Sequence, residues 1–231
     1  MSVAHEQVRL CSHPHLFVQA VNQNCFAGLF HIPPESQRMV VDSIVWGCKH
    51  TERNISDKVC LTKCNGIHVS RRLNMLLSQG LEILHEFLKN VAKSPEIAQG
   101  FYKTYLVSLV QDIFAIMTDR LHKSGFKMQA TLLHYIIHLV LLNHVTEPLY
   151  DASQGSNFSS NTAFLHSHLA NLLASSFPNL GSKGVTDFVD SLFDVKMDLA
   201  SFKTCLRDFL VKLKEFSGEE DEDGDTDLAD L

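Results

Sequence analysis

Histidine and cysteine are the side chains through which this sequence could do chemistry, and it holds 13 of the first and six of the second. Cys60-x-x-x-Cys64-x-x-x-His68 is the spacing that most suggests a metal. Structural zinc wants four tetrahedral nitrogen or sulfur ligands, with local thiolate pairs two to four residues apart. A fourth ligand would have to be His50 or Cys48, and no pattern singles out one of them. His134 and His138 stand one helical turn apart but lack the glutamate of an H-E-x-x-H motif, and His144 falls near the end of the same apolar run. They read as two polar-tipped residues on the rim of an apolar helix. His166 and His168 are two apart and so point to different helical faces. There is no G-x-S-x-G elbow, phosphate-cradling glycine loop or dinucleotide fingerprint. The expectation is therefore no catalytic, cofactor-binding or metal residue and no cofactor: a protein that binds and is not an enzyme.

Composition narrows the class further. Of 231 residues, 45% are hydrophobic and 20% charged, which excludes wholesale disorder. The most apolar stretch, Leu132 to Leu142, is interrupted by His134, Tyr135 and His138 and falls short of the roughly 20 residues a membrane helix needs. No charged-then-apolar leader opens the chain. Cys11, Cys25, Cys48, Cys60, Cys64 and Cys205 are then expected to be reduced thiols in a soluble intracellular protein. The net charge of −6 is unevenly placed: nine acids and no base follow from Glu215 onward, leaving 17 acids against 20 bases before it. A single-sign run with so few apolar groups reads as a solvated, disordered tail. No cluster of Lys and Arg with interleaved aromatics occurs, which argues against nucleic acid.

Nearly every apolar segment has the period of a helix. Leu81, Leu84, Leu88 and Val91 share one face, and Phe101, Tyr105, Leu109, Phe114 and Met117 line a longer rod. The period returns through Leu132, Leu133, Ile136, Ile137 and Val140, through Leu165, Leu169 and Leu173, through Val185, Phe188, Val189 and Leu192, and through Phe202, Leu206 and Phe209. Starts are marked at Pro33-Pro34-Glu35, at Ser94-Pro95-Glu96 with Ser94 as the capping oxygen, and at Asp198. Breaks are marked at Ser124-Gly125, Glu147-Pro148, Ser153 to Ser160, Phe177-Pro178 and Gly181. Several helices are apolar on more than one face, which favours an α-solenoid of antiparallel helix pairs over a four-helix bundle. The fold class expected is all-α.

Specific strings then carry a resemblance. Leu16-Phe-Val-Gln-Ala-Val-Asn22, Cys25-Phe26, Ile32-Pro-Pro34, Asp42-Ser-Ile-Val-Trp46, Lys49-His-Thr51 and Arg53-Asn54 come first. Gly80-Leu81-Glu-Ile-Leu84, Gln111-Asp-Ile-Phe114, Thr118-Asp119, Gly125-Phe126 and Ser176-Phe-Pro178 follow, and Leu206-Arg-Asp-Phe-Leu210 with Lys214-Glu-Phe216 are the most specific. In this order they resemble the C-terminal region of the exportin-1 family, nuclear export receptors of the importin-β superfamily. The resemblance implies HEAT repeats, helix pairs of about 40–47 residues. It implies a receptor that carries proteins bearing leucine-rich export signals out of the nucleus with GTP-bound Ran, passing nuclear pore proteins and shuttling between nucleus and cytoplasm. Cargo and GTPase would raise each other's affinity through one reciprocal coupling free energy.

The resemblance also divides the chain. Residues 1–13 stand outside the family, 14–217 form the HEAT-repeat domain, and 218–231 are the acidic tail. The cargo groove belongs to repeats that precede this region, so no cargo-binding residue is expected here and the chain reads as a structural and regulatory fragment. The family runs almost directly from Arg53-Asn54 to the string at Gly80. Deleting Val59 to Gln79 would rejoin one helix, so residues 58–79 are expected to be an insertion loop from an unspliced intron or gene-model error, and Cys60, Cys64 and His68 with it. A fragment cut between repeats would leave Ala20, Val21, Phe26, Leu29 and Phe30 with little to cover them. The alternatives are a stand-alone helical-repeat adaptor for another protein, and a small zinc protein.

Overall fold

Every regular element among the described residues is helical. The structure is a computed structural model, and the residues it describes are 14–49, 80–118, 125–151 and 158–216. In chain order these form α1 (Pro14–Asn24), a 3-10 turn (Phe26–His31), α2 (Pro34–Lys49), α3 (residues 80–92), α4 (Pro95–Thr118) and α5 (Phe126–Leu141). There follow α6 (Asn161–Ser176), a 3-10 turn (Pro178–Leu180), α7 (Gly181–Leu192) and α8 (Leu199–Phe216). The all-α reading stands, and the class is the helical-repeat one. The acidic run and the segments 1–13 and 58–79 lie outside the described residues.

Local chemistry explains the boundaries. α1, α2 and α4 each begin on a proline, whose missing N–H would have had no intrahelical partner there. Ser160 caps α6 by accepting from the Ala163 amide at 3.1 Å, and Asp198 caps α8 by accepting from the Ser201 amide at 2.8 Å. Ser94 does not cap α4 with its side chain, as the sequence suggested. Its hydroxyl donates back to the Asn90 carbonyl at 3.2 Å, because α3 ends one residue earlier and leaves that carbonyl open. α5 ends before the expected break at Glu147-Pro148. Asn143 takes the left-handed conformation (φ 58°), with its amide bonded to the Val140 carbonyl and that of His144 to Leu139. Those two bonds are a Schellman close, with asparagine where glycine is usual.

The chain divides into two compact units, Met1–Ala98 with Asp119–Met128 and Gln99–Thr118 with Gln129–Leu231. In the first, the core includes Leu29, Val41, Ile44, Leu81, Leu84, Phe87, Leu88 and Val91. The predicted exposure of its first helical segments is only partly met. Leu29 is buried, and Phe26 and Phe30 set their rings 5.4 and 6.4 Å from that of Phe87. Asn90 donates to the side chain of Asn22 at 3.0 Å and ties α3 to α1.

In the second unit α6 packs on α7 and α7 on α8. Leu165, Leu169 and Leu173 of α6, Val185, Val189 and Leu192 of α7, and Phe202 and Leu206 of α8 are all at most 1% exposed. Each contributes about 1.5–3 kcal/mol in removing its side chain from water. The connection between α5 and α6 is clamped by two amides. Gln99 accepts from the amides of Thr146 and Glu147 and donates to the His144 carbonyl. Asn161 accepts from the Leu149 amide and donates to the carbonyls of Val145 and Glu147. A loop is usually held at the surface by water; here protein groups bond to backbone groups between His144 and Leu149, and Val145 and Leu149 are buried.

Replacing Asn161 by alanine removes three such bonds and should cost about 2–3 kcal/mol, at roughly 1 kcal/mol for each hydrogen bond. A urea titration should show the midpoint fall with an unchanged slope. Tyr102 behaves oppositely. Its ring is buried, its hydroxyl meets no partner, and burial together with Tyr135 pushes its pKa up to about 12. Tyr102→Phe should therefore leave stability unchanged or raise it by up to about 1 kcal/mol, since an unpaired buried hydroxyl is a net cost. The same titration reads it.

Candidate functional site

The histidines come to rest in packing contacts rather than around a common point. His134 and His138 stack with centroids 4.0 Å apart, and the Phe202 ring meets His134 edge-on at 4.9 Å. The His134 Nε2 lies 3.4 Å from the Met197 carbonyl. Burial lowers the His134 pKa, and His138 lowers it further, against the opposing pull of the Met197 carbonyl and Asp198. His166 and His168 do face different neighbours. His166 Nε2 pairs with Asp190 Oδ1 at 2.6 Å across α6 and α7. His168 Nε2 lies 2.9 Å from Gln111 Nε2, and since an amide nitrogen only donates, His168 accepts and carries its proton on Nδ1. Burial lowers its pKa in the same direction. His144 closes the end of α5 with its backbone amide.

Among the described residues, no three or more His, Cys, Asp or Glu side chains converge as metal ligands would. Cys60, Cys64, His68 and His50, with the side chain of Cys48, lie outside those residues. Cys205 is half-buried, and its thiol is pushed up by burial and by Asp208, against Ser191 and Lys212. That is the reverse of an activated nucleophile, which needs a depressed pKa.

Concavities among the described residues offer another kind of site. In the first unit a polar cleft of about 300 Å3 lies between Gln19 and Gln23 of α1 and Glu82 and Glu86 of α3. In the second unit a groove of about 990 Å3 runs between α7 and α8. Its floor is the face-to-face pair Phe188 and Phe209, with ring centroids 3.8 Å apart and planes 5° from parallel. Leu180 and Met197 extend the apolar surface, and Asp187, Asp208, Glu215 and Lys212 stand on the rim. An apolar floor among charged side chains suits a peptide or helix and offers no reacting constellation. The sequence reading did not find this groove, because its floor residues are the same phenylalanines that build the core stripe. The clamps Gln99 and Asn161 were also missed; only Asn161, next to the capping Ser160, carried a local signal.

The sequence has relatives. The chain matches the family described as "CRM1 C terminal" over residues 13–69 and 67–218. It is 38% identical over 203 residues to Exportin-1 of Schizosaccharomyces pombe, which covers 87% of this chain and 17% of that protein. It is 36% identical over 207 residues to Protein EXPORTIN 1B of Arabidopsis thaliana and 35% identical over 207 residues to Exportin-1 of Dictyostelium discoideum, each covering 89% of this chain.

The chain belongs to the exportin-1 family. It corresponds to the C-terminal region of that family and spans about a sixth of its relatives' length, 17% in each case. The family is one of nuclear export and protein transport, and its helical repeats agree with the fold. No helix among the described residues is long and apolar enough to cross a membrane.

The histidines of this exportin-family unit make its stability depend on pH. His134 and His168 titrate below their ordinary value of 6.5 when folded and near it when unfolded. On acidification the unfolded chain therefore takes up protons first, so their contribution is complete above pH 6.5 and is lost as pH falls through the folded pKa values. Stability should fall as the pH drops below about 6.5, and the double variant His134→Gln/His168→Gln should flatten that limb. Urea midpoints measured across this range check the expectation.

Proposed function

We propose that this chain is the C-terminal HEAT-repeat part of a nuclear export receptor, with residues 14–217 as its repeat domain. The observation that carries the reading is an ordered match through nearly the whole chain to relatives of which it covers 17%. In the longer receptor, repeats elsewhere bind the leucine-rich export signal and GTP-bound Ran, and this part completes the scaffold. Its work is binding and mechanical coupling, without catalysis. The receptor shuttles between nucleus and cytoplasm past nuclear pore proteins. Cargo and GTPase bind cooperatively because each stabilises the same state of the scaffold.

The same reading treats Val59 to Gln79 as an interruption. What supports it is that the family match falls into two parts that meet at residues 67–69, inside this segment. The genomic sequence should show GT at codon 59 and AG at codon 79.

A chimera tests both statements. The C-terminal region of fission-yeast Exportin-1 is replaced by residues 14–217 of this chain, with and without Val59–Gln79, and nuclear export of a signal-bearing reporter is followed in cells. The version lacking the segment should sustain export, and the version retaining it should export less. Failure of both chimeras, with each protein folded and present at normal level, would contradict the reading.

A further inference from the structure

The groove between α7 and α8 is lined by one face of each helix. α7 presents Gly184, Phe188 and Ser191 to it, and α8 presents Ser201, Cys205, Asp208, Lys212 and Glu215, all at steps of three or four residues. From Ser201 to Glu215 the lining extends about 21 Å along α8, or about four helical turns. We propose that this groove binds an amphipathic helix of a partner protein, with an apolar stripe on the Phe188–Phe209 floor and Lys or Arg on both flanks.

Three observations carry this. The first is the chemistry of the walls. Ser191 donates to the Asp187 carbonyl at 2.8 Å and Thr204 to the Ala200 carbonyl at 3.1 Å, each within its own helix. Their protons are already used, and together with Leu180, Met197 and the two phenylalanines they ask the occupant for apolar contact. The second is room. An added Cβ at Gly184, on the α7 wall, would meet nothing within 4 Å, so a side chain of the occupant has space beside that backbone. The third is charge. Asp187, Asp208 and Glu215 line the groove against one base, Lys212, and each wall carries at least one of the acids. Among the described residues Asp208 has Arg207 at 3.8 Å, whereas Asp187 and Glu215 form no ion pair. A helix lying on the floor therefore meets a carboxylate on either side. Cations on both of its flanks are attracted, and acids there are repelled from both walls.

The probe is a fluorescein-labelled synthetic helix of about four turns, with leucines at i, i+4 and i+7 and lysines on both sides of them. A second peptide has glutamate for every lysine. Binding of each to the full chain is read by fluorescence anisotropy. The lysine peptide should bind, and the glutamate peptide should bind at least about tenfold more weakly. Asp187→Lys/Asp208→Lys reverses one acid on each wall, leaves the floor intact and should weaken the lysine peptide about tenfold. Gly184→Trp fills the groove from an exposed position of α7 and should weaken it by at least as much. With the groove about nine-tenths occupied, iodoacetamide should alkylate Cys205, which lines it, about tenfold more slowly, and exposed Cys25 at an unchanged rate. The acid run after Phe216 is the same in both variants, so binding that survives both substitutions is attraction to that run and overturns the proposal. Failure of the lysine peptide to bind, or equal binding of the two peptides, would do the same. So would protection of Cys205 that rises with the concentration of the chain before any peptide is added, which would give the groove to a second copy.

Discussion

The structure depends on apolar helix faces that no single helix can bury alone. α7 shows the constraint most clearly. Val185, Val189 and Leu192 are buried while the helix stands between α6 and α8, and a 12-residue rod of this sequence would be marginal in isolation. Its stability comes from its neighbours. Gly184 weakens it further, since glycine costs about 1 kcal/mol relative to alanine within a helix. Packing must therefore override local propensity, and the face-to-face Phe188–Phe209 pair joins α7 to α8.

Once the helices must stack, their connections must be short or held. The α5–α6 connection is held by Gln99 and Asn161, each of which uses both the oxygen and the nitrogen of its amide. The histidines fill a similar role. His134 lies against the Met197 carbonyl and the Phe202 ring, and His166 against Asp190, so polar tips seal the seams between helices whose bodies are apolar. These described histidines are thus seam residues, and the lowered pKa values of His134 and His168 are consequences of burial.

Much of this was legible in the sequence. The stripe Leu81, Leu84, Leu88 and Val91 is buried as its spacing requires, and the same holds for Leu165, Leu169 and Leu173. Asp198 caps α8 because a short carboxylate just before an apolar run has the right reach. What was not legible depends on partners distant in the chain. Ser94 turned away from its cap because its hydroxyl donates to the Asn90 carbonyl of α3. Asn143 ended α5 early because asparagine tolerates the left-handed region, a weaker signal than the Glu147-Pro148 pair beyond it. Gln99 clamps a loop that begins more than 40 residues later, which no local pattern announces. The groove arises from the distance between two helices, a quantity that periodicity does not encode.

Helical repeats coupled only to their neighbours give a long receptor a way to pass strain from one site to another while each repeat keeps its own core. Native-state hydrogen exchange tests that account of this chain most directly. Leu169→Ala opens a cavity in α6 and should cost about 2–5 kcal/mol. The account predicts that amide protection falls together in α6, α7 and α8 and is unchanged in α3. Loss confined to α6, or an equal loss through every helix including α3, would contradict it.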